Sequence, residues 1–455
     1  MNELKEKSSP VILTIFGITG DLIKQKVLLS LYSLFLDHKF ANGSKIICFI
    51  RKDWKDSDLS EYLKKIMIDG KYLESDKFDE FLNLFEVSIG SFDDKVSFTK
   101  LLKRISEIET KFEKPIEKIN YLAISPEHFQ DVISNIGKCG KNIFSNESFN
   151  EIKLIVEKPF GLNLSNALVL DQLIAKYFSD EQIYRVDHYL SKYSLRFLEK
   201  FSIEKEFGSE FNLKNAVSIK IKILEERGVE GRVSFYEKIG ALKDVGQNHL
   251  LEMFATLIAT QSPKENMGYI ENRGETIKSL RVLTNGEIES KVIREQSHKY
   301  LELEGVKSNS NIETYFNIQT SSRYFGDKEL KVELEGGKYQ TQSECSISIY
   351  YPKKIISIFL KPQEMICLDD IKVEISSENT KSEYYNIFLD AILENPKYFV
   401  SKEEVEEEWK FADPILEYWK DNPIKKNEKS FIWKILILGY GIILLLCLKS
   451  NPIVK

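Results

Sequence analysis

The sequence predicts two domains: an α/β domain built on a parallel sheet, then an α+β domain built on a large, mainly antiparallel sheet. Three observations lead there. A chain of 455 residues is too long for one ordinary hydrophobic core. Between Val11 and about residue 180, short apolar runs alternate with stretches of helical spacing, the pattern of strands buried on both faces by helices. Beyond about residue 190 the strands alternate polar and apolar residues, as in a sheet with one solvated face. The expected boundaries are 8–183 for the first domain, 184–428 for the second and 429–455 for an apolar tail.

Each element has its own warrant. "VILTIF" (11–16) is a β-rich run that stops at "GITGDL". "IKQKVLLSLYSLFLDH" (23–38) then puts Leu28, Leu31, Tyr32 and Phe35 on one helical face. "KIICFI" (45–50), "INYLAISP" (119–126) and "IKLIVEKPFG" (152–161) read as further buried strands, the last two ending in loops that contain proline. The alternating strands are "AVSIKIKIL" (216–224), "TYFNIQTSS" (314–322), "KVELEG" (331–336), "ECSISIYY" (344–351), "IISIFL" (355–360) and "IKVEIS" (371–376). Helical stretches are expected near 239–260 and 382–395, and "EEVEEEW" (403–409) reads as a solvated helix face.

Composition excludes some functions. A net charge of −6 argues against a broad nucleic-acid-binding surface. Five cysteines without CxxC spacing point to a reducing, cytoplasmic setting with neither disulfides nor a zinc site. The N-terminus carries no apolar signal segment. Near the other end, Ile435–Leu448 is an apolar run of 14 residues, or 18 when counted from Phe431 with Lys434 snorkelling. Residues 431–448 are therefore expected to be either a membrane contact or a buried terminal element.

Two constellations carry chemistry. In the first, Gly17 and Gly20 lie between a strand and a helix, where the backbone of a tight turn approaches a pyrophosphate and a helix N-terminus offers N–H donors. The G-x-x-G spacing also suits a plain βα turn. Arg51 and Lys52 follow the second strand, where a basic residue suits a ribose 2′-phosphate, so NADP is favoured; Asp53 keeps NAD possible. In the second, "YRVDHYLSKY" (184–193) holds an Asp, a His and a Lys within six positions, in a chain with only five histidines. His188, Tyr189 and Lys192 form a candidate anion site. His249, in "GALKDVGQNHLLE" (240–252), is a candidate general base, and Asp187 is its partner carboxylate if the two segments meet. Asp244 lies five residues before His249, on a different face of an α-helix. A satisfied buried histidine is the structural alternative. Lys158 in "EKPF" and Lys338 in "EGGK" are lone lysines in proline and glycine contexts.

Together these segments resemble the glucose-6-phosphate dehydrogenase family. Its motifs stand here, in order, as "GITGDL" (17–22), "YLAISPEHF" (121–129), "EKPFG" (157–161), "RVDHYLSK" (185–192), "GVEGR" (228–232), "GALKDVGQNHLL" (240–251) and "EEEWKFADPILEYW" (406–419). The resemblance implies a Rossmann-like coenzyme domain and oxidation of D-glucose 6-phosphate at C1 to the lactone, with hydride passing to NADP. It implies His249 as base and Asp187 as its orienting partner. It implies His188, Tyr189 and Lys192 on the 6-phosphate, and Lys158, Glu225, Asp244 and Lys338 on the sugar. It implies Gly17, Thr19, Gly20, Lys26, Arg51 and Lys158 at the coenzyme, Pro159 beside the nicotinamide, and a homodimer or homotetramer.

Four departures stand out. Ser191 replaces a glycine, which would crowd the phosphate loop if that glycine had positive φ. Tyr193 replaces an acidic residue. Glu335 replaces an arginine and reverses a charge near Lys338. Gly246 loosens the helix before His249. They leave two competing readings: an inactive homologue that binds sugar phosphate or NADP, and a dehydrogenase of another hexose 6-phosphate.

Overall fold

The computed structural model describes residues 9–69, 77–369, 371–374 and 381–424. The apolar tail (429–455) and the end of the expected strand 371–376 lie outside them. Among the described residues, no helix is long and apolar enough to cross a membrane.

Six strands form the first sheet: β1 (Val11–Phe16), β2 (Lys45–Ile50), β3 (Phe85–Ile89), β4 (Glu117–Leu122), β5 (Ile152–Glu157) and β6 (Ile183–Val186). All pair in parallel, in the order β3-β2-β1-β4-β5-β6. Chain order reverses at β1, so a crevice opens at the carboxyl ends of β1 and β4. Every side chain of β1 is buried because helices cover both faces. One apolar cluster gathers Leu13 and Ile15 with Leu28 and Leu31; the other gathers Ile12 and Phe16 with Phe98 and Phe129. The boundary expected at 183/184 falls inside β6, which needs Tyr184–Val186 to complete its pairing with β5.

The second sheet has eight strands: β7 (Ser218–Leu224), β8 (Val292–Glu295), β9 (Tyr315–Ser322), β10 (Leu330–Gly337), β11 (Glu344–Tyr350), β12 (Ile355–Lys361), β13 (Met365–Leu368) and β14 (Ile371–Glu374). Their order is β14-β13-β12-β11-β7-β10-β9-β8. Only the central β7–β10 pair is parallel. β7 alternates half-buried and buried positions along its whole length, so Ile219, Ile221 and Ile223 face one side. The helix Leu251–Gln261 lies against that side, with Leu251, Phe254 and Leu257 in the same apolar cluster. The other side is open and carries Lys220, Lys331, Glu333 and Glu335.

The end of the described chain ties the two sheets together. The helix Glu383–Ile392 returns to the first domain, where Phe388 meets the ring of Tyr121 at 5.1 Å. The helix Lys402–Asp421 is amphipathic to both sides: Val405 and Trp409 join the first domain's core, while Phe411 and Ile415 join the second's. Its "EEVEEEW" start is not the solvated face that the charge run suggests. Glu404 and Glu408 are fully buried, four residues apart on the inward face.

Gly246 is also misjudged by sequence. It does not loosen a helix; it admits a neighbour. A Cβ there would lie 2.6 Å from Leu242 Cδ1 and 2.6 Å from Phe316 Cζ. The Phe316 ring, fully buried, also presses on Gly336, where a Cβ would lie 2.5 Å from the same Cζ. Gly246→Ala is therefore expected to destabilise the fold by about 1–3 kcal/mol through overpacking. Chemical denaturation measures it, and an unchanged midpoint would mean that Phe316 has room to move.

Candidate active site

Two segments build the reacting centre. The first is the loop after β6, at the carboxyl edge of the parallel sheet, which carries Asp187, His188, Tyr189 and Lys192. The second is Leu242–Leu250, a π-helical stretch that runs into the helix Leu251–Gln261. The π-helix pairs each residue with the fifth one on, and such turns are frequent at functional sites. Asp244 and His249 are spaced by five, so the widened turn brings together two residues that an α-helix would hold apart. This corrects the expectation of different faces, which assumed α-helical geometry.

The expected Asp–His contact is present. His249 Nδ1 lies 2.6 Å from Asp187 Oδ2 and 2.7 Å from Oδ1, and both side chains are buried. Asp187 Oδ1 also accepts from the Tyr189 N–H at 2.8 Å. Burial pushes the Asp187 carboxyl up, but the charge and hydrogen bond of His249, with Lys158 nearby, outweigh it, and the net shift is down. Burial lowers the His249 pKa and the opposing pull of Asp187 only partly restores it. The histidine is thus neutral near pH 7, with Nδ1–H donating to Asp187 and Nε2 left unprotonated, the nitrogen that can take a proton.

Lysines and carboxylates alternate around that nitrogen. Lys158, from the loop after β5, places its Nζ 2.6 Å from His249 Nε2 and donates to the Asp244 carbonyl at 2.8 Å. The Lys158–Pro159 peptide is cis. Lys338, just past β10, pairs with Asp244 at 3.0 Å and with Glu225. Burial lowers the Lys338 pKa, but Asp244 and Glu225 outweigh it and the net shift is up. Burial likewise raises Asp244, and Lys158 and Lys338 bring it below its ordinary value. The donor atoms of Asp187, His188 and His249 lie within 4.8 Å of one another, which would suit a metal, yet the Lys158 ammonium disfavours a second cation there.

The anion subsite adjoins this centre. The His188 and Tyr189 rings lie 4.7 and 4.2 Å from the His249 ring, centroid to centroid. Lys192 Nζ sits 4.0 Å from the Tyr189 ring centroid, and among the described residues no carboxylate pairs with it. Burial, then the neighbouring charges of His249, Lys158 and Lys192, holds His188 well below its ordinary pKa. Ser191 does not have positive φ, so its Cβ brings no backbone strain; its carbonyl accepts from Asn386 Nδ2 at 2.9 Å. Glu335 does not face Lys338. It points to the open side of the second sheet, pairing with Lys220 at 2.7 Å and accepting from the Tyr315 hydroxyl at 2.9 Å. Tyr193 is partly exposed, its ring 6.4 Å from that of Phe197.

A cavity of about 360 Å³ opens at the crevice beside β1. Gly17, Thr19, Gly20 and Arg51 line it, with Lys52, Trp54, Phe92 and His128. Gly17 has φ +94°, and a Cβ there would lie 2.2 Å from the Ala123 carbonyl oxygen, so only glycine fits this turn. The cradle suits a dinucleotide: backbone at the phosphates, basic side chains at the ribose, aromatic rings at the base. Phe92 and His128, 5.1 Å apart, were not foreseen; Phe92 stands alone in a turn and carries no sequence signal. Lys158 is not among the lining residues, and neither is Lys26. The Lys26 ammonium pairs with Glu383 and lies 5.8 Å from the Tyr384 ring centroid.

A glycine-turn cavity on a parallel sheet, together with a carboxylate-held histidine just past the same sheet's last strand, defines a nicotinamide-dinucleotide oxidoreductase. The chain belongs to the glucose-6-phosphate dehydrogenase family. The family's NAD-binding domain matches residues 14–196, and its C-terminal domain matches 200–376 and 360–432. The chain is 30% identical over 420 residues to glucose-6-phosphate 1-dehydrogenase of Helicobacter pylori, covering 90% of this chain and 93% of that protein. It is 28% identical over 465 aligned positions to that of Borreliella burgdorferi, covering 92% and 94%. A solved glucose-6-phosphate dehydrogenase in complex with its substrate, glucose 6-phosphate, superposes with a TM-score of 0.79 at 25% identity over 90% of this chain and 92% of that one. The Mycobacterium avium enzyme gives 0.75 at 22% identity over the same shares, a likeness of fold.

Asp187→Asn tests the dyad. Asp187 raises the His249 pKa against burial. Its removal is expected to move the acid limb of kcat to lower pH and to lower kcat by about 100-fold or more, because the developing imidazolium loses its counter-charge. A pH profile with an unshifted acid limb would take Asp187 out of that role.

Proposed function

We propose that this chain oxidises β-D-glucose 6-phosphate at C1 to 6-phospho-D-glucono-1,5-lactone and that its coenzyme is NADP. The observation that carries the reading is His249, held neutral between Asp187 and Lys158 in a family whose named members are glucose-6-phosphate 1-dehydrogenases.

The chemistry follows from the residues. His249 Nε2 takes the proton of the 1-hydroxyl as the C1 hydrogen leaves as hydride, and Asp187 stabilises the imidazolium. Bound dinucleotide supplies the hydride acceptor. Lys158, beside Nε2, holds the 1-oxygen and lies where sugar and coenzyme meet. Asp244, Glu225 and Lys338 bind the ring hydroxyls; their mutual ion pairs already fix them in place. His188, Tyr189 and Lys192 hold the 6-phosphate, a reading supported by the unpaired Lys192 ammonium. Gly17, Thr19, Gly20 and Arg51 hold the coenzyme, and Arg51, 6.0 Å from the Phe92 ring centroid, reads the 2′-phosphate.

The open, charged side of the second sheet supports self-association into a homodimer. Cytoplasmic residence is supported by the free thiols of Cys48, Cys139 and Cys345.

Absorbance of the reduced nicotinamide, with glucose 6-phosphate and NADP or NAD in turn, tests the reading. Turnover with NADP ahead of NAD is expected, and Arg51→Ala should weaken NADP more than NAD. A flat trace with folded protein, alongside turnover of galactose 6-phosphate, would favour another hexose phosphate. Lys192→Ala should raise KM about 10- to 100-fold with kcat little changed, as expected for one charge-assisted contact of roughly 1.5–3 kcal/mol made equally in ground and transition states. An unchanged KM would remove Lys192 from the phosphate site.

A further inference from the structure

Behind the general base lies a cluster of carboxyl groups that the reaction does not use. Glu252 follows His249 by three residues on the same helix. Glu404 and Glu408 come from the helix Lys402–Asp421, and Arg273 from the helix Tyr269–Lys278. All four are buried to 1% exposure or less. Arg273 is spoken for: its Nε lies 2.6 Å from Glu404 Oε1 and its Nη2 donates to Glu404 Oε2 at 3.0 Å, while Glu252 Oε2 stands off at 3.9 Å. Two carboxyl groups therefore face one guanidinium, and Glu404 takes its charge.

Glu252 and Glu408 are left with each other. Their carboxyl groups are buried side by side, each acting electrostatically on the other, with no donor between them. Among the described residues no N–H or hydroxyl donates to either oxygen of Glu252 or to Oε1 of Glu408. Two bare carboxylates in contact within a dry interior would repel strongly, so one must carry a proton. The remaining oxygen, Glu408 Oε2, accepts from Gln247 Nε2 at 3.0 Å. Asn248 continues the line, with Nδ2 3.5 Å from Gln247 Oε1 and Oδ1 accepting from the backbone N–H of His249 at 2.7 Å. Hydrogen bonds thus run from the carboxyl pair to the backbone of the base itself.

We propose that Glu252 and Glu408 share a single proton, and that this pair positions His249 by clamping the C-terminal helix to the π-helical stretch through Gln247 and Asn248. The inference rests on His249 being the general base. Loss of the proton replaces an attraction with a repulsion inside the clamp and withdraws the histidine from alignment. The charges facing the pair are Asp187 from the loop after β6, Glu404 and Arg273 from the two neighbouring helices, and His249 on the Glu252 helix. Burial, then the adjacent carboxylates, holds both acids well above the usual carboxylate range, with Arg273 opposing this at Glu252. By linkage, an acid with a raised folded pKa contributes stability that is present below its unfolded value and lost as pH rises through its folded one.

Glu408→Gln is the test, because the amide donates to the Glu252 carboxylate without a removable proton. The full-length wild type is expected to lose kcat at alkaline pH, by about tenfold per pH unit beyond the inflection, as for loss of one required proton. Its Tm should fall over the same range. The variant should match wild-type kcat at neutral pH and keep both kcat and Tm on the alkaline side. Infrared difference spectra of the wild type from neutral to alkaline pH should show loss of one protonated carboxyl band, which the variant lacks. If the variant does not fold, Glu252→Gln, the mirror arrangement, takes the same measurements, and the wild-type infrared spectrum stands without either. Superimposable kcat profiles, or no protonated carboxyl at neutral pH, would overturn the proposal. No turnover of glucose 6-phosphate at any pH would instead count against the dehydrogenase reading, with the Tm and infrared arms still reporting on the pair.

Discussion

The hydrogen bond between Asp187 and His249 is the constraint on which the site depends. It joins residues 62 apart in sequence and two different sheets in space. Asp187 follows the last strand of the parallel sheet; His249 lies on the helical layer of the eight-stranded one. A neutral imidazole is a useful base only if one nitrogen is committed and the other open. The carboxylate commits Nδ1. The burial that keeps the histidine neutral would disfavour the carboxylate's charge as well, and the paired histidine with its neighbouring Lys158 offsets that cost. Each group makes the other's state tenable.

That geometry depends on an irregular helix and on what packs behind it. The π-helical turn brings Asp244 towards the side of His249, so one lysine, Lys158, reaches both. The widened turn must pass close to β9 and β10, and it can do so because glycine stands at 246 and 336, on either side of Phe316. Overpacking at this point would move the turn, and with it the base. The same turn is held from behind by Gln247, which reaches Glu408 on the helix that spans both cores. Substrate-facing and core-facing residues therefore alternate along one short stretch, 244 to 249.

Much of this was legible in the sequence. The glycine turn, the Asp-His-Tyr-Lys run and the second histidine all carry chemistry at recognisable spacings, and the central strands are long apolar or alternating runs. What failed was legible only with the right period. Asp244 was put on another face because α-helical spacing was assumed. The edge strands β3 and β8 and the short β13 escaped because short, partly exposed segments give little signal. "EEVEEEW" reads as a solvated face by composition. By position it does not: Glu404 and Glu408 share a helical side with Val405, Trp409 and Ala412, all of them buried. A buried acid at a core position of an amphipathic helix is the signal that composition hides.

The departures from the family pattern can be weighed in the same terms. Glu335 seemed to oppose Lys338 because three residues look close in sequence. In an extended strand they face opposite ways, and the parity of β10 sends Glu335 to the outer face, where Lys220 neutralises it. Ser191 seemed to threaten the phosphate loop because a glycine is often a sign of positive φ. Here the backbone is ordinary, and the added hydroxyl is simply buried beside Lys192. Neither residue disturbs the charges that surround His249. The argument for an inactive homologue rested on those two side chains and on the apolar tail; the geometry of each side chain takes its support away, and the tail lies outside the described residues.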